Sequence, residues 1–270
     1  MPGTSPEQEE NRQEYDVIRS AFIRLVLHAE DGAESLVLLE DVISSRASFL
    51  IDKALRGLSI DLDRALEILR NYNDLTTERE RQQRDILVAA VDNLVDFAVA
   101  EEFAMMRELP DELDRMDMEK YEAVCKKYNL TYATEENSTV LFAAGIAAWW
   151  LAVDAEAIIT FMTQGDERVR PWHEALEGLS YRKREFPPEL IPPIEWGCRC
   201  FLSADGFGSV YGAIRKQKHK PEVNPVFVES LAVGGRIFSE AHPYFQNRIP
   251  RGICEIRERI KQKIGLPCPK

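Results

Sequence analysis

The sequence predicts an α+β protein: a predominantly helical N-terminal region followed by a small mixed α/β C-terminal domain with few short strands. Three observations predict it. No proline stands between residues 7 and 109, so no missing N–H interrupts a helix there. Apolar side chains in that region recur at three- and four-residue steps. Residues 163–202 then gather five prolines and a closing Gly-Cys-Arg-Cys, a composition that ends helices and builds loops. The expected division is a helical region over 1–134 and a second domain over 135–270, with the Pro-rich stretch at 163–202 and a basic tail at 203–270.

The elements follow in order. Ser5 is placed as an N-cap, with Pro6 at the first helical position and Gln8 closing a capping box. Val17, Ile18, Phe22, Leu25 and Val26 give that helix its apolar face. Asp31-Gly32 marks a turn. Ser35 opens a second helix to about 56, and Gly57 is placed to end it. Ser59 caps a short helix over 62–72. Thr77 and Glu80 form another capping box for a long helix that Pro110 stops. Residues 111–128 predict a short helix and 129–133 a brief extended piece. The apolar run at 140–153 (VLFAAGIAAWWLAV) predicts a buried helix capped by Asn137 or Ser138, running to about 162 and ended by Gly165. At 14 residues before Asp154, the run is shorter than the roughly 20 a membrane span needs, so no membrane is expected. Its small residues permit close helix packing. Beyond 202, residues 207–214 suggest a strand or turn, Asn224-Pro225 opens a short helix to about 232, and 254–264 predict a basic amphipathic helix.

Charge is distributed unevenly. Residues 1–163 carry −17 and residues 164–270 carry +5, within an overall −12. An acidic front and a basic tail suggest two surfaces with different partners. The five cysteines (Cys125, Cys198, Cys200, Cys254, Cys268) are an odd number, and the N-terminal MPGTSPEQEENRQEYD has no apolar core. Both features argue against a secreted disulfide framework and for folding in a reducing cytoplasm.

Three constellations can carry chemistry. Cys198 and Cys200 with His173 offer soft ligands for a metal. Zinc pairs usually have two to four residues between cysteines, whereas here there is one, and no second Cys or His pair lies nearby. The expectation is therefore no metal and no cofactor, with the two cysteines flanking Arg199 on a short strand, one buried and one partly so. His173 and Cys200 can also form a nucleophile pair, but no oxyanion-hole motif accompanies them, and no catalytic residue is assigned. No phosphate-binding glycine motif is present. Arg168, Arg170, Arg182, Lys183 and Arg184, with the basic runs at 215–220 (Arg215, Lys216, Lys218, Lys220) and 257–263, can contact a nucleic-acid backbone without reading bases.

One set of residues points to a family. Thr163, Asp166, Arg168, Val169, Arg170, Pro171 and His173 are followed by Gly178, then Pro192-Pro193, then Gly197, Cys198, Arg199 and Cys200. This pattern resembles the signature of the phage Mu protein F-like family of minor head, or head-morphogenesis, proteins. Asn224-Pro225, Gly235-x-Ile237-Phe238 and His242-Pro243-Tyr244 resemble later parts of many members. The loop at 185–189 does not align with the family's loop, and residues 1–135 lie outside the resemblance. The resemblance implies a low-copy virion component of the head interior or portal vertex, present in the host cytoplasm during assembly. It implies binding to portal and capsid proteins and to packaged double-stranded DNA, and no enzymatic activity. On this reading Arg168 or Arg170 pairs with Asp166 or Glu195, and His173 hydrogen-bonds a backbone carbonyl. An enzyme or metal-binding domain using His173 with Cys198 and Cys200, or a DNA-binding accessory protein, is the alternative.

Overall fold

The first helix begins where the capping box sets it. In the computed structural model, which describes residues 5–29, 32–70, 75, 77–110, 112–204 and 223–266, α1 spans Pro6–Leu27. Ser5 Oγ accepts from Gln8 N–H, and Gln8 Oε1 accepts from Ser5 N–H in return. The helices that follow are α2 (Gly32–Leu58), α3 (Leu62–Arg70), α4 (Glu78–Met106), α5 (Met118–Lys126) and α6 (Ala133–Ala152). Strand β1 is Ile158–Met162, α7 is the single turn Pro171–Glu174, and β2 and β3 are Ser180–Arg182 and Phe201–Ser203. Helix α8 is Arg251–Ile264. The fold is α+β, helical over most of the N-terminal part of the sequence, with a small antiparallel sheet formed by strands between residues 158 and 203. No helix among the described residues is long and apolar enough to cross a membrane.

The chain divides into two compact units, Met1–Lys53 with Val91–Ser138 and Pro243–Lys270, and Ala54–Ala90 with Thr139–His242. The first unit is helical. Its apolar core comes from Phe22 and Leu25 of α1, Val42, Ile43 and Leu50 of α2, Leu94, Val95 and Phe97 of α4, and Ile256 and Ile260 of α8. The basic run at 257–263 meets carboxylates of α2 and α4. Arg259 and Lys263 reach Glu40, at 2.6 and 2.8 Å. Lys261 bridges Asp92 and Asp96 at 2.6 and 2.7 Å.

A polar network lies inside the same core. Arg46, about 1% exposed, donates to Glu101 (2.6 Å), Asn137 (2.7 Å) and Glu136 (2.6 Å). Asn137 donates to Asn11 and Glu14 at 2.9 Å each, Lys53 pairs with Glu14 at 2.6 Å, and Tyr244 donates to Glu136 at 3.1 Å. Glu102, fully buried, accepts from Asn129 at 3.3 Å. Burial, then the neighbouring Glu101, raises the carboxyls of Glu102 and Glu136 well above the ordinary range. A carboxyl raised on folding above its unfolded value, about 4.3 for Glu, holds a proton that the unfolded chain releases. Its contribution is complete below that unfolded value and fades as pH climbs through the raised folded pKa. The melting temperature should therefore decline as pH rises above the unfolded carboxyl range. Glu102→Gln should flatten the decline, as differential scanning fluorimetry against pH will show.

The second unit holds the sheet, ordered β2-β1-β3 and antiparallel throughout. Ile159 pairs with Tyr181 and Phe161 with Leu202. Gly57 does not end α2 but sits one residue inside it, against α6. A Cβ there would fall 2.5 Å from the Leu141 carbonyl oxygen and 2.6 Å from Ala144 Cβ. Small residues on α6 thus permit the close approach, and Gly57→Ala should destabilise by about 1–3 kcal/mol, read from the urea midpoint.

The structure corrects several local expectations. The apolar helix ends at Ala152 rather than 162. Asp154 accepts from Glu156 N–H (2.8 Å) and from Ala157 N–H (3.1 Å), turning the chain, and the β-branched Ile158-Ile159-Thr160 then forms a strand. Residues 127–132 are not extended but a π-helical turn joining α5 to α6, which buries Tyr128 and Asn129. Helix α2 opens at Gly32, not Ser35. Asp61 Oδ1 rather than Ser59 accepts at the start of α3, from Arg64 N–H. Asn224 caps only a 3-10 turn, Pro225–Phe227, and a second turn, Leu231–Val233, follows it. The strand or turn suggested at 207–214 lies outside the described residues.

Candidate functional site

Thr163, leaving β1, starts the signature. Its hydroxyl donates to Glu177 and accepts from Gly165 N–H. Gly165 has φ 64°, a conformation that suits a residue without a Cβ. Asp166 closes the turn by accepting from Arg168 N–H at 3.1 Å. Its carboxylate also receives two bonds from Arg199, at 2.6 and 2.8 Å, and this pairing holds Asp166 below the ordinary carboxylate range. Asp166 is thus bound by the Arg199 side chain rather than by those of Arg168 or Arg170, and Arg168 is exposed.

Arg170 precedes Pro171, which takes the first position of α7 as its fixed φ favours. Arg170 donates to the Trp196 carbonyl at 2.8 Å and lies 3.3 Å from Glu195. Trp172 Nε1 donates to the same Glu195 oxygen at 3.2 Å. This short helix carries His173 inward, to 2% exposure. Gly178, at φ 79°, returns the chain to the sheet, its N–H bonding the Phe161 carbonyl at 2.8 Å.

The second half of the signature is held by Trp196, whose ring lies 5.0 Å from Phe227, 5.5 Å from Phe238 and 5.8 Å from His242. Gly197, at φ 63°, turns the chain into Cys198-Arg199-Cys200 and then β3. Both cysteines are buried, not one of them, and neither forms a disulfide. Their sulfurs face one imidazole: His173 Nδ1 is 3.2 Å from Cys200 Sγ and 4.0 Å from Cys198 Sγ. His173 Nε2 lies 3.5 Å from Glu195 Oε2. The expected bond from His173 to a backbone carbonyl is replaced by this sulfur contact, because α7 aims the ring at the Cys-x-Cys loop. Hydrogen bonding from Cys200 lowers Cys198 to about 5, and the same bond, with burial, pushes Cys200 up.

Sulfur, imidazole and carboxylate in a row have the order of a nucleophile triad. His173, Cys198 and Cys200 are buried, however, and the cavity beside them is about 10 Å³, which holds a single water and no substrate. A roomier groove of about 800 Å³, lined in part by Trp150, Phe186, Pro187 and Pro188, contains none of the signature residues. Of the basic candidates, Arg182 and Arg184 both pair with Glu156, and Lys183 donates to the Val153 carbonyl. Arg215, Lys216, Lys218 and Lys220 lie outside the described residues, as does Cys268. The sequence reading named Glu195 as a partner for Arg170, which the structure bears out, but missed Trp172 as a second donor to the same oxygen. It also missed the Arg46 network, whose signal was an arginine spaced three and four residues from Ile43 and Leu50 on an apolar stripe.

A short-stranded antiparallel sheet, a one-turn helix bearing an inward histidine and a Cys-x-Cys loop facing it define a small α+β domain. Residues 101–203 match the family described as Phage Mu protein F like protein, and the match supports the phage head-morphogenesis assignment over that part of the chain. A curated relative, the uncharacterized protein MJ0329 of Methanocaldococcus jannaschii, is 35% identical over 89 residues, covering 33% of this chain and 11% of the relative. The chain therefore spans only a small part of that relative's length. No solved structure matches.

Proposed function

We propose that this protein is a minor component of a phage head, acting by binding rather than by catalysis during head morphogenesis. The family match over residues 101–203, which includes the signature stretch at 163–202, carries this reading. In it, residues 1–134 provide an acidic docking surface for portal or capsid protein, and residues 135–270 form the head-morphogenesis domain. The tail run Arg215, Lys216, Lys218 and Lys220 contacts packaged DNA. It is the better DNA candidate of the two tail runs, since Arg259, Lys261 and Lys263 of α8 already meet carboxylates. The protein resides in the virion, in the head interior or at the portal vertex.

Co-expression with the portal protein of the same phage tests the partner. Co-purification at low and moderate salt is expected; failure at both contradicts portal docking. Duplex DNA affinity should fall steeply with salt, with a shallower slope after neutralising Lys216, Lys218 and Lys220. An unchanged slope removes that run from the DNA contact.

A further inference from the structure

We propose that His173 Nδ1, Cys198 Sγ and Cys200 Sγ bind a zinc ion, with Glu195 as the outer carboxylate that orients the imidazole. The three ligand atoms lie within 4.8 Å of one another, and all three residues are buried. Zinc bonds of about 2.3 Å to sulfur and 2.0–2.1 Å to nitrogen in a tetrahedral set place the nitrogen roughly 3.5 Å from each sulfur. The observed 3.2 and 4.0 Å straddle that value. Two thiolates and an imidazole select zinc over magnesium or calcium, which prefer oxygen.

The surroundings match what a metal-bound histidine needs. The nitrogen away from the sulfurs has no hydrogen bond among the described residues and faces Glu195 Oε2 at 3.5 Å. A small closure brings that carboxylate within hydrogen-bonding range of Nε2–H, leaving the Nδ1 lone pair for the metal. Arg170 and Trp172 hold Glu195 from the other side. The adjoining 10 Å³ cavity, lined by Arg170, Gly197 and Cys200 among others, takes the water that completes four-coordination. Both sulfurs bind as thiolates, so metal entry releases the thiol protons to solvent. The one-residue Cys-x-Cys spacing is no obstacle, because the third ligand arrives from α7, 25 residues upstream of Cys198.

The test uses the full chain purified with reductant and without chelator. Elemental analysis should find about one zinc per chain. After chelator treatment, cobalt(II) titration should produce a thiolate charge-transfer band and the strong visible absorption of a tetrahedral site. Cys200→Ser and His173→Ala should each abolish stoichiometric binding, while Cys254→Ser should not. Glu195→Gln should weaken zinc affinity about 10–100-fold in competition with a chromophoric chelator. If the ligand variants do not fold, the wild-type cobalt titration decides alone. Absence of zinc and of the cobalt bands in reduced wild-type protein overturns the proposal. So does a Cys198–Cys200 disulfide that persists under reductant, or rapid alkylation of Cys200 that zinc does not slow.

Discussion

Arg46→Ala should cost about 3–5 kcal/mol of unfolding free energy, the size expected when one member of a buried ionic network is removed. The guanidinium is fully buried and donates to Glu101, Asn137 and Glu136 at 2.6–2.7 Å. Without it, Glu101 loses its cation in a buried site, beside Glu136 and Glu102, whose carboxyls burial already raises. The network ties α1, α2, α4, α6 and Tyr244 together, so the loss reaches every element that borders it. Urea denaturation at neutral pH measures the effect. Replacing the acids as well, in Arg46→Met with Glu101→Gln and Glu136→Gln, should recover part of the stability, because the penalty is that of uncompensated charge. A single-variant loss below about 1 kcal/mol would show that the carboxylates simply protonate when their partner leaves.

Phe161→Ala should cost about 3–5 kcal/mol. Phe161 is fully buried in the central strand β1, opposite Leu202 of β3. Its N–H donates to the Leu179 carbonyl and its carbonyl accepts from Gly178 N–H, both at 2.8 Å, so its backbone ties β1 to the segment that leads into β2. Strands of three to five residues have little stability of their own and depend on their buried face. Because β3 begins directly after Cys200, this variant should also raise the reactivity of the cysteines towards alkylating reagents in the reduced, metal-free protein. A urea midpoint within error of wild type would show that the sheet is held by its loops instead.

The parts of the fold that were legible in the sequence rest on local signals. Ser5 with Gln8 and Thr77 with Glu80 form the reciprocal caps their spacing implies, because a cap is decided within one turn. Strand β1 was hidden because the apolar run at 140–153 continues almost directly into Ile158-Ile159, and only the turn at Asp154 separates the two. Residues 129–133 read as extended because Thr131 and Tyr132 favour strands, yet α5 and α6 continue through them as one helical path. Arg46 sat on an apolar stripe, but its three partners lie 55 to 91 residues away, and no local pattern reports them. In the candidate site, the signature residues were legible as a set, and the convergence of Cys198 and Cys200 on His173 was weighed but set aside because of the one-residue spacing. One signal for it was present. In an extended segment, residues two apart project to the same side, so Cys-x-Cys already placed both sulfurs on a common face, and α7 had only to supply the histidine.

Quantitative mass spectrometry of purified, DNA-filled heads from the phage or induced prophage that encodes this chain tests the virion assignment most directly. The account predicts the protein in the heads at a small fraction of the major capsid protein's abundance, retained through density-gradient purification. Its absence from heads, with abundant protein in the same lysate, would contradict a role as a head component.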